Sequence, residues 1–280
     1  MALNSVNTNV GAMIALQNLQ VTNKDLGTVQ NRISTGKNIS SAKDNGAIWA
    51  IAQGQRAEMG ALNSVKDSLN RGQSAVDVSL AAGESISDLL LQMKEKALAA
   101  TDTSLNTAAR DALNEDFTSI RDQITTVVDN ATFNGLNLLD GTLTGGFKAL
   151  ANTSGDATTG VITIDDEDMS LSGSIVTLGA AAAIDTASAA TAALGDVNTS
   201  IDNVSAALAR LGTGSKSLGT HLNFVGKLQD TLESGIGNLV DADLAKESAR
   251  LQALQTKQQL GVQALSIANS STSMLLGLFR

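Results

Sequence analysis

Apolar residues recur at alternating steps of three and four through most of this 280-residue chain. Such heptad spacing is typical of long helices that pair through an apolar seam. The clearest run lies in residues 190–237, and similar runs occupy residues 45–100 and 106–131. Four or five long helices therefore cover most of the chain. The sequence predicts a mainly α fold, a long antiparallel helical bundle or coiled coil.

The middle of the chain has a different pattern. Residues 134–186 are rich in glycine and contain two short runs of β-favouring residues, at 161–164 and 174–178. Runs of this kind between glycine-rich turns predict strands. We expect a small, surface-exposed β-hairpin region between two helical arms. The Ala/Thr/Ser-rich stretch at 180–193 fits either a loop or a helix start.

Residue types that are missing exclude several kinds of active site. The chain has no Cys, Pro or Tyr, and its single His is His221. Thiol nucleophiles, disulfides, zinc–thiolate sites and paired-His metal motifs are therefore excluded. The acidic run at 165–168 lacks the glycine and closing Glu of a calcium loop, so we interpret it as a solvated turn. We expect no catalytic residue, no cofactor and no metal.

Charge and hydropathy limit the partners. The formal net charge is −9, which disfavours binding to the phosphate backbone of nucleic acid. No uninterrupted apolar run reaches the roughly 18 residues that a membrane-spanning helix needs, so we expect no membrane insertion. These two expectations leave other proteins as the main partners.

The two ends of the chain are amphipathic and carry few charges. Residues 1–35 contain only Lys24, Asp25 and Arg32 as charged residues, and residues 255–280 contain only Lys257 and Arg280. Isolated helices of this kind are marginally stable, so neighbouring helices must cover them. We interpret both ends as assembly segments. Their predicted contact residues are Leu3, Val6, Val10, Met13, Leu19, Leu26, Leu244, Leu251, Leu254, Leu265 and Leu275.

Short motifs in these ends resemble a known family. They occur at residues 31–37 with Asp44, at 132–135, and at 263–269. The residues that carry the resemblance are Asn31, Arg32, Ser34, Gly36, Asp44, Phe133, Asn134, Gly135, Ala268 and Asn269. Together they resemble the terminal signatures of bacterial flagellins of the short type, which lack large outer domains. Ile48-Trp49 departs from the family's usual Gly-Leu, and we expect Trp49 to pack against a neighbouring helix.

The resemblance implies a secreted structural subunit that polymerises into the extracellular flagellar filament for swimming motility. It implies export of the unfolded chain, with an export apparatus and a chaperone, and folding at the filament tip. Sibling flagellins and the hook-associated junction and cap proteins are the other implied partners. A hook–filament junction protein is the alternative, because it shares the terminal signatures but does not polymerise alone.

The resemblance also implies a domain plan. Residues 1–40 and 241–280 would form the inner-tube helices, and residues 41–133 and 187–240 the outer-tube core. Residues 134–186 would be the surface-exposed variable region. An enzyme inserted in that region is a remote alternative, since it offers neither His nor Cys. A coiled-coil signalling module is another, but its ends would not be rich in Asn and poor in charge.

Two further expectations follow from the resemblance. Short flagellins are often O-glycosylated, and the candidate sites here are Thr144, Thr153, Ser154, Thr158, Thr159, Thr177 and Thr199. The innate immune receptor for flagellin contacts a segment that corresponds here to Gln92, Met93, Lys94, Glu95 and Lys96. Lys and Gln replace arginines of detected flagellins, and neither offers the planar donor fork of Arg. We therefore expect weak or absent receptor activation.

Overall fold

The computed structural model describes residues 8–156 and 158–277, with side chains as far as residue 270. These residues form five helices: α1 (Val10–Thr35), α2 (Gly46–Ala100), α3 (Thr107–Asn130), α4 (Ala187–Val240) and α5 (Leu244–Gly277). They also form four short strands: β1 (Thr132–Phe133), β2 (Leu136–Asn137), β3 (Phe147–Leu150) and β4 (Val161–Ile164). The predicted mainly α fold with a small β-hairpin region is confirmed.

The chain divides into two compact units. The terminal unit comprises residues 1–57 and 231–280, and the central unit comprises residues 58–230. The terminal unit contains a buried cluster in which Ile39 and Ala52 pack with Ile236 and Val240. The start of α2 and the end of α4 therefore belong to the terminal unit.

In the central unit, α2 and α4 run antiparallel. Gln73 Nε2 donates a hydrogen bond to Ser215 Oγ at 2.6 Å, and Gln229 Nε2 donates one to Asn63 Oδ1 at 2.8 Å. Along α2 the buried residues keep strict heptad spacing: Leu62, Val65, Leu69, Val76, Ile86, Leu90, Met93 and Ala97. The predicted seam on this helix is thus the core of the central unit.

The hairpin of β3 and β4 fills two gaps in this helix seam. An added Cβ at Gly72 would meet Phe147 Cε1 at 2.5 Å, and one at Gly214 would meet Ile164 Cδ1 at 2.7 Å. Phe147 and Ile164 lie opposite each other in the hairpin, and their side chains press against Gly72 of α2 and Gly214 of α4 respectively. The small seam position at Gly72 admits a strand side chain.

A tight turn joins β1 and β2 after α3. Asn134 and Gly135 have φ values of 52° and 78°, as a two-residue type I′ hairpin requires. Asn is one of the few non-glycine residues that adopt this conformation readily, and glycine adopts it without penalty. The resembled motif at 132–135 is therefore a turn whose backbone geometry selects its residues.

The predicted strand at 174–178 is wrong. These residues form no strand, and Ile175, Val176 and Leu178 are buried instead. Their backbone is held by side chains of α4: the Ser200 hydroxyl accepts from Thr177 N, and Asn203 Nδ2 donates to Ile175 O. Residues 134–186 are therefore only partly surface-exposed.

The acidic run at 165–168 is not simply a solvated turn. Glu167 is buried, and its two carboxylate oxygens accept bonds from Arg210 Nε at 2.6 Å and Nη2 at 2.5 Å. Asp165 remains exposed. The bidentate pairing offsets the cost of burying the Glu167 carboxylate, which is why this residue can leave the solvent.

Candidate assembly surface

Helices α1 and α5 form an antiparallel pair in the terminal unit. Asn9 Nδ2 donates to Ala268 O at 2.8 Å, and Gln258 Nε2 donates to Asn23 Oδ1 at 2.7 Å. Near the other end of α1, Arg32 Nη1 lies 3.3 Å from Glu247 Oε1. Residue numbers rise along α1 while those of the contacting residues fall along α5. The two helices therefore stay paired in one antiparallel register over the full contact.

The two helices meet along a seam with heptad spacing on both sides. Seam residues on α1 are Ala15, Leu19, Thr22, Leu26, Val29 and Ile33; those on α5 are Glu247, Leu251, Leu254, Gln258, Gly261, Leu265 and Ala268. Gly261 lets the helices approach closely, because an added Cβ there would lie 3.3 Å from Leu19 Cδ1. The predicted contact residues Leu19, Leu26, Leu251, Leu254 and Leu265 lie in this seam.

Other apolar side chains of α1 and α5 are about half exposed, because no described residue packs over their outer side. Val10 and Met13 are 51% and 62% exposed, and Leu244 is 48% exposed. Six more apolar residues on these helices are exposed, and the sequence did not predict them: Ile14, Leu16, Val21, Leu260, Val262 and Ile267. Spacing could have revealed some of them, since Ile14 and Val21, like Leu260 and Ile267, lie seven residues apart.

We call these nine exposed apolar side chains of α1 and α5 together the assembly face. Part of it is a groove of 550 Å³ between α1 and α5, with Ile14 and Asn18 on one wall and Leu260 and Ala264 on the other. Exposed apolar patches of this extent mark surfaces that another molecule covers. Leu3 and Val6 lie outside the described residues, as does the side chain of Leu275.

The link between α1 and α2 contains several signature residues. Gly36 ends α1 with φ 68°, and Ala242 N donates to its carbonyl at 2.9 Å. Asp44 Oδ2 accepts bonds from the backbone and hydroxyl groups of Ser40 and Ser41. These bonds, foremost that from Ser41 N, hold the pKa of Asp44 below its ordinary value.

Arg32 and Glu247 place a charged pair at the seam. Glu247 is buried, and its Oε2 has no hydrogen-bond partner among the described residues, nor does Arg32 Nε.

Of the remaining signature residues, Asn31, Ser34 and Asn269 are exposed and Phe133 is half-buried. Trp49 packs on the cluster that contains Ile236 and Val240, so its expected packing against a neighbouring helix is confirmed.

The receptor-contact segment is only partly available to a partner. Gln92, Lys94 and Glu95 are exposed, but Met93 is fully buried because it occupies a seam position of α2. Lys96 Nζ lies 2.7 Å from Asp116 Oδ2, and this hydrogen bond raises the pKa of Lys96. A partner of the folded chain would meet Gln92, Lys94 and Glu95, whereas Met93 faces the seam, as the α2 heptad pattern already indicated.

Chemistry other than assembly finds little support in the described part of the chain. Within it, no group of three or more His, Cys, Asp or Glu residues could hold a metal ion. No helix among the same residues is long and apolar enough to cross a bilayer. His221 Nε2 lies 2.6 Å from Ala151 O, and the His221 ring lies 5.7 Å from that of Phe224. The single imidazole thus makes a structural contact.

Comparison with known proteins agrees with this arrangement. The family model of the bacterial flagellin N-terminal helical region matches residues 6–144, and that of the C-terminal helical region matches residues 194–279. Flagellin FljM of Caulobacter vibrioides is 60% identical over the full length of both chains. A flagellin of Brucella melitensis is 40% identical over 99% of each chain.

A solved structure supports the fold only. A chain described as a flagellar hook-associated protein of Vibrio parahaemolyticus superimposes with a TM-score of 0.57 at 14% identity, covering 71% of this chain and all of that one. The full-length relatives of higher identity are flagellins, so the junction role is not favoured. The chain belongs to the bacterial flagellin family and is a structural subunit of the extracellular flagellar filament that drives motility.

Proposed function

We propose that the α1–α5 pair forms the inner tube of the filament, through contacts of the assembly face with neighbouring copies. In this plan residues 1–40 and 241–280 form the inner tube, residues 41–133 and 187–240 form the outer tube, and residues 134–186 face outward. The assembly face carries the proposal, because nine large apolar side chains of α1 and α5 are about half exposed.

The energy available from that face is large. Burying one large apolar side chain fully contributes about 1.5–3 kcal/mol, so covering the exposed half of nine contributes on the order of 10 kcal/mol gross. Association costs about 4–15 kcal/mol, which is of comparable size. Polymerisation should therefore fail when the contribution of the assembly face is lost.

Deletion tests the proposal directly. Removing residues 1–35 or 245–280 should leave a soluble helical monomer that does not polymerise when seeded. Point variants separate assembly from folding: Ile267→Ser, at a side chain 69% exposed, should impair polymerisation but leave the unfolding of the monomer unchanged. Leu254→Ser, at a seam residue 8% exposed, should also destabilise the monomer. Long filaments formed by either truncated chain would exclude the inner-tube role.

We also infer that the chain is not an enzyme. Its family is a structural one, and its single His is engaged with a backbone carbonyl. A hydrolase screen of purified filaments, with heat-denatured filaments as the control, should give equal background rates. A rate that is lost on heating would contradict this inference.

The absence of Pro and Cys supports export of the unfolded chain. Without Pro, refolding avoids isomerisation steps of tens of seconds, and without Cys the chain cannot cross-link outside the cell. We propose that an export apparatus and a chaperone deliver the chain, and that hook-associated junction and cap proteins contact its polymer. Fusing a stably folded domain into the exposed loop at 154–156 should block secretion. Normal secretion of the fusion would contradict the unfolded route.

The candidate O-glycosylation sites differ in whether their hydroxyl groups are hydrogen-bonded. Thr144 is exposed, and its hydroxyl makes no hydrogen bond to the described residues. The other candidate hydroxyls are engaged: Thr153 with Glu58, Ser154 with Asn152, Thr158 and Thr159 with Asp156, Thr177 with Asp196 O, and Thr199 with Gly195 O. We propose Thr144 as the first site of modification.

A further inference from the structure

Sulfur occurs in this chain only as methionine, because the sequence has six Met and no Cys. The structure describes the side chains of four of these: Met13, Met59, Met93 and Met169. Met93 and Met169 are fully buried and Met59 is half-buried, whereas Met13 is 62% exposed. Among these four thioethers, that of Met13 is therefore the most accessible to a reagent in solution.

Met13 belongs to the assembly face. Val10, Met13 and Ile14 stand at positions i, i+3 and i+4 of α1, so their side chains share one face of the helix. Val10 and Ile14 are 51% and 54% exposed. The buried seam residues of α1, Thr22 and Val29, do not belong to this group. A chemical change at Met13 therefore alters the assembly face and leaves the contact between α1 and α5 in place.

Methionine suits an apolar contact surface because it is unbranched and adaptable, but its sulfur is open to oxidation. A sulfur lone pair attacks one oxygen of a peroxide, the O–O bond breaks, and the released hydroxide takes up the proton left on the transferred oxygen to give water. The sulfur loses two electrons and the peroxide gains them. The product is a sulfoxide, which is polar and costs free energy to bury without a hydrogen-bond partner.

We propose that Met13 is a site of reversible oxidation that controls whether a subunit outside the cell can join the filament. This inference rests on the assembly face proposed above. A subunit with the thioether buries an apolar side chain on joining, whereas a subunit with the sulfoxide must bury a polar one. The oxidant is a peroxide. Methionine sulfoxide reductases, one for each epimer of the sulfoxide, reverse the change at the expense of a thiol.

The order of oxidation and assembly decides the result. Before assembly, Met13 is open to solvent and its oxidation weakens polymerisation. After assembly, neighbouring copies cover the assembly face and keep the oxidant away from the sulfur. No thiol of the chain competes for the peroxide or cross-links the subunits, because the chain has no Cys.

Oxidation of each methionine is measured by treating monomer and filaments briefly with hydrogen peroxide and analysing fragment ions by mass spectrometry. In the monomer, Met13 should be oxidised several-fold faster than Met59, and the buried Met93 and Met169 should react least. In filaments, oxidation of Met13 should slow many-fold. Met13 oxidised no faster than Met59 in the monomer would overturn the proposal.

Polymerisation on seeds gives the functional readout. Peroxide treatment of the monomer should raise its critical concentration by about tenfold or more, as loss of an interface anchor does. Each variant is compared with its own untreated chain: Met13→Leu should show no rise, and the matched control Met59→Leu should show the full rise. Sulfoxide reductases with dithiothreitol should restore polymerisation of the oxidised chain. A rise in Met13→Leu as large as that of the unsubstituted chain would exclude Met13 as the site.

Met13→Gln places a polar side chain on the assembly face without any oxidant. It should raise the critical concentration as oxidation does, while its monomer unfolds as before, because the side chain is more than half exposed. If Met13→Gln polymerises normally and Ile267→Ser does not, the oxidation site is wrong but the inner-tube proposal stands. If both variants polymerise normally, both proposals are wrong.

Discussion

Replacing Gly72 with Ala tests whether the β3–β4 hairpin is held by its insertion into the helix seam. Gly72 is buried in the middle of α2, and an added Cβ would lie 2.5 Å from Phe147 Cε1 and 3.4 Å from Leu218 Cδ1. The backbone that carries the Phe147 ring is held in place, so the ring itself would have to turn to admit the added Cβ. β3 pairs with β4, and Leu150 N at the end of β3 donates to Ser68 Oγ at 3.0 Å.

Two opposing effects set the change in the free energy of unfolding caused by Gly72→Ala. Alanine is favoured over glycine inside a helix by about 1 kcal/mol. Overpacking a filled site costs about 1–3 kcal/mol. Gly60 supplies the matched control, since it lies in the same helix, is exposed, and has no neighbour within 4 Å of an added Cβ. Relative to Gly60→Ala, Gly72→Ala should therefore be less stable by about 1–3 kcal/mol.

Urea unfolding of the monomer, followed by circular dichroism, measures both free energies of unfolding. We expect Gly60→Ala to stabilise the chain and Gly72→Ala to be neutral or destabilising. Adding Phe147→Leu should relieve the clash, so a double-mutant cycle should show a coupling free energy of about 1 kcal/mol or more between these contacting sites. Equal stabilisation by Gly60→Ala and Gly72→Ala, without coupling to Phe147, would refute the insertion.

Three further predictions concern pH, modification and the immune receptor. Because hydrogen bonds lower the pKa of Asp44 in the folded chain, its contribution to stability is present above the ordinary carboxyl pKa and is lost as the pH falls through the lowered value. Asp44→Asn should flatten the acid limb of a plot of unfolding free energy against pH, and an unchanged limb would count against these bonds. The intact mass of native filament protein should exceed 28.6 kDa and decrease when Thr144 is replaced by Val; a native mass of 28.6 kDa would exclude glycosylation. Monomer should give little signal in a receptor reporter assay, and strong signalling would contradict this. A gain of signal is expected from the triple variant Gln92→Arg, Lys94→Arg and Lys96→Leu.

Helix positions followed from the sequence because heptad spacing is a local property. The stripe at residues 106–131 predicted α3, which spans Thr107–Asn130. The clearest run, at 190–237, corresponds to α4 at Ala187–Val240. An amphipathic helix needs only its own residues to define its apolar stripe, so distant parts of the chain change these bounds little.

Side-chain burial between the helices was less predictable. The run at 174–178 has strand-forming residues, yet it packs as irregular chain because Ser200 and Asn203 supply its hydrogen bonds. Glu167 was expected in solvent, but Arg210 pairs with it from 43 residues away. Both outcomes depend on partners that lie far along the chain, which spacing alone does not reveal.

The sequence by itself determined that both ends form weakly charged helices with apolar stripes and that their motifs are those of flagellins. Only the tertiary structure decided which side of each helix is the seam. On α5 the residues Leu251 and Leu265, two heptads apart, meet α1, whereas Leu260 and Ile267, one heptad apart, remain uncovered. Parallel apolar stripes on one helix are equivalent in sequence. The partner helix buries one of them and leaves the other to bind the next subunit.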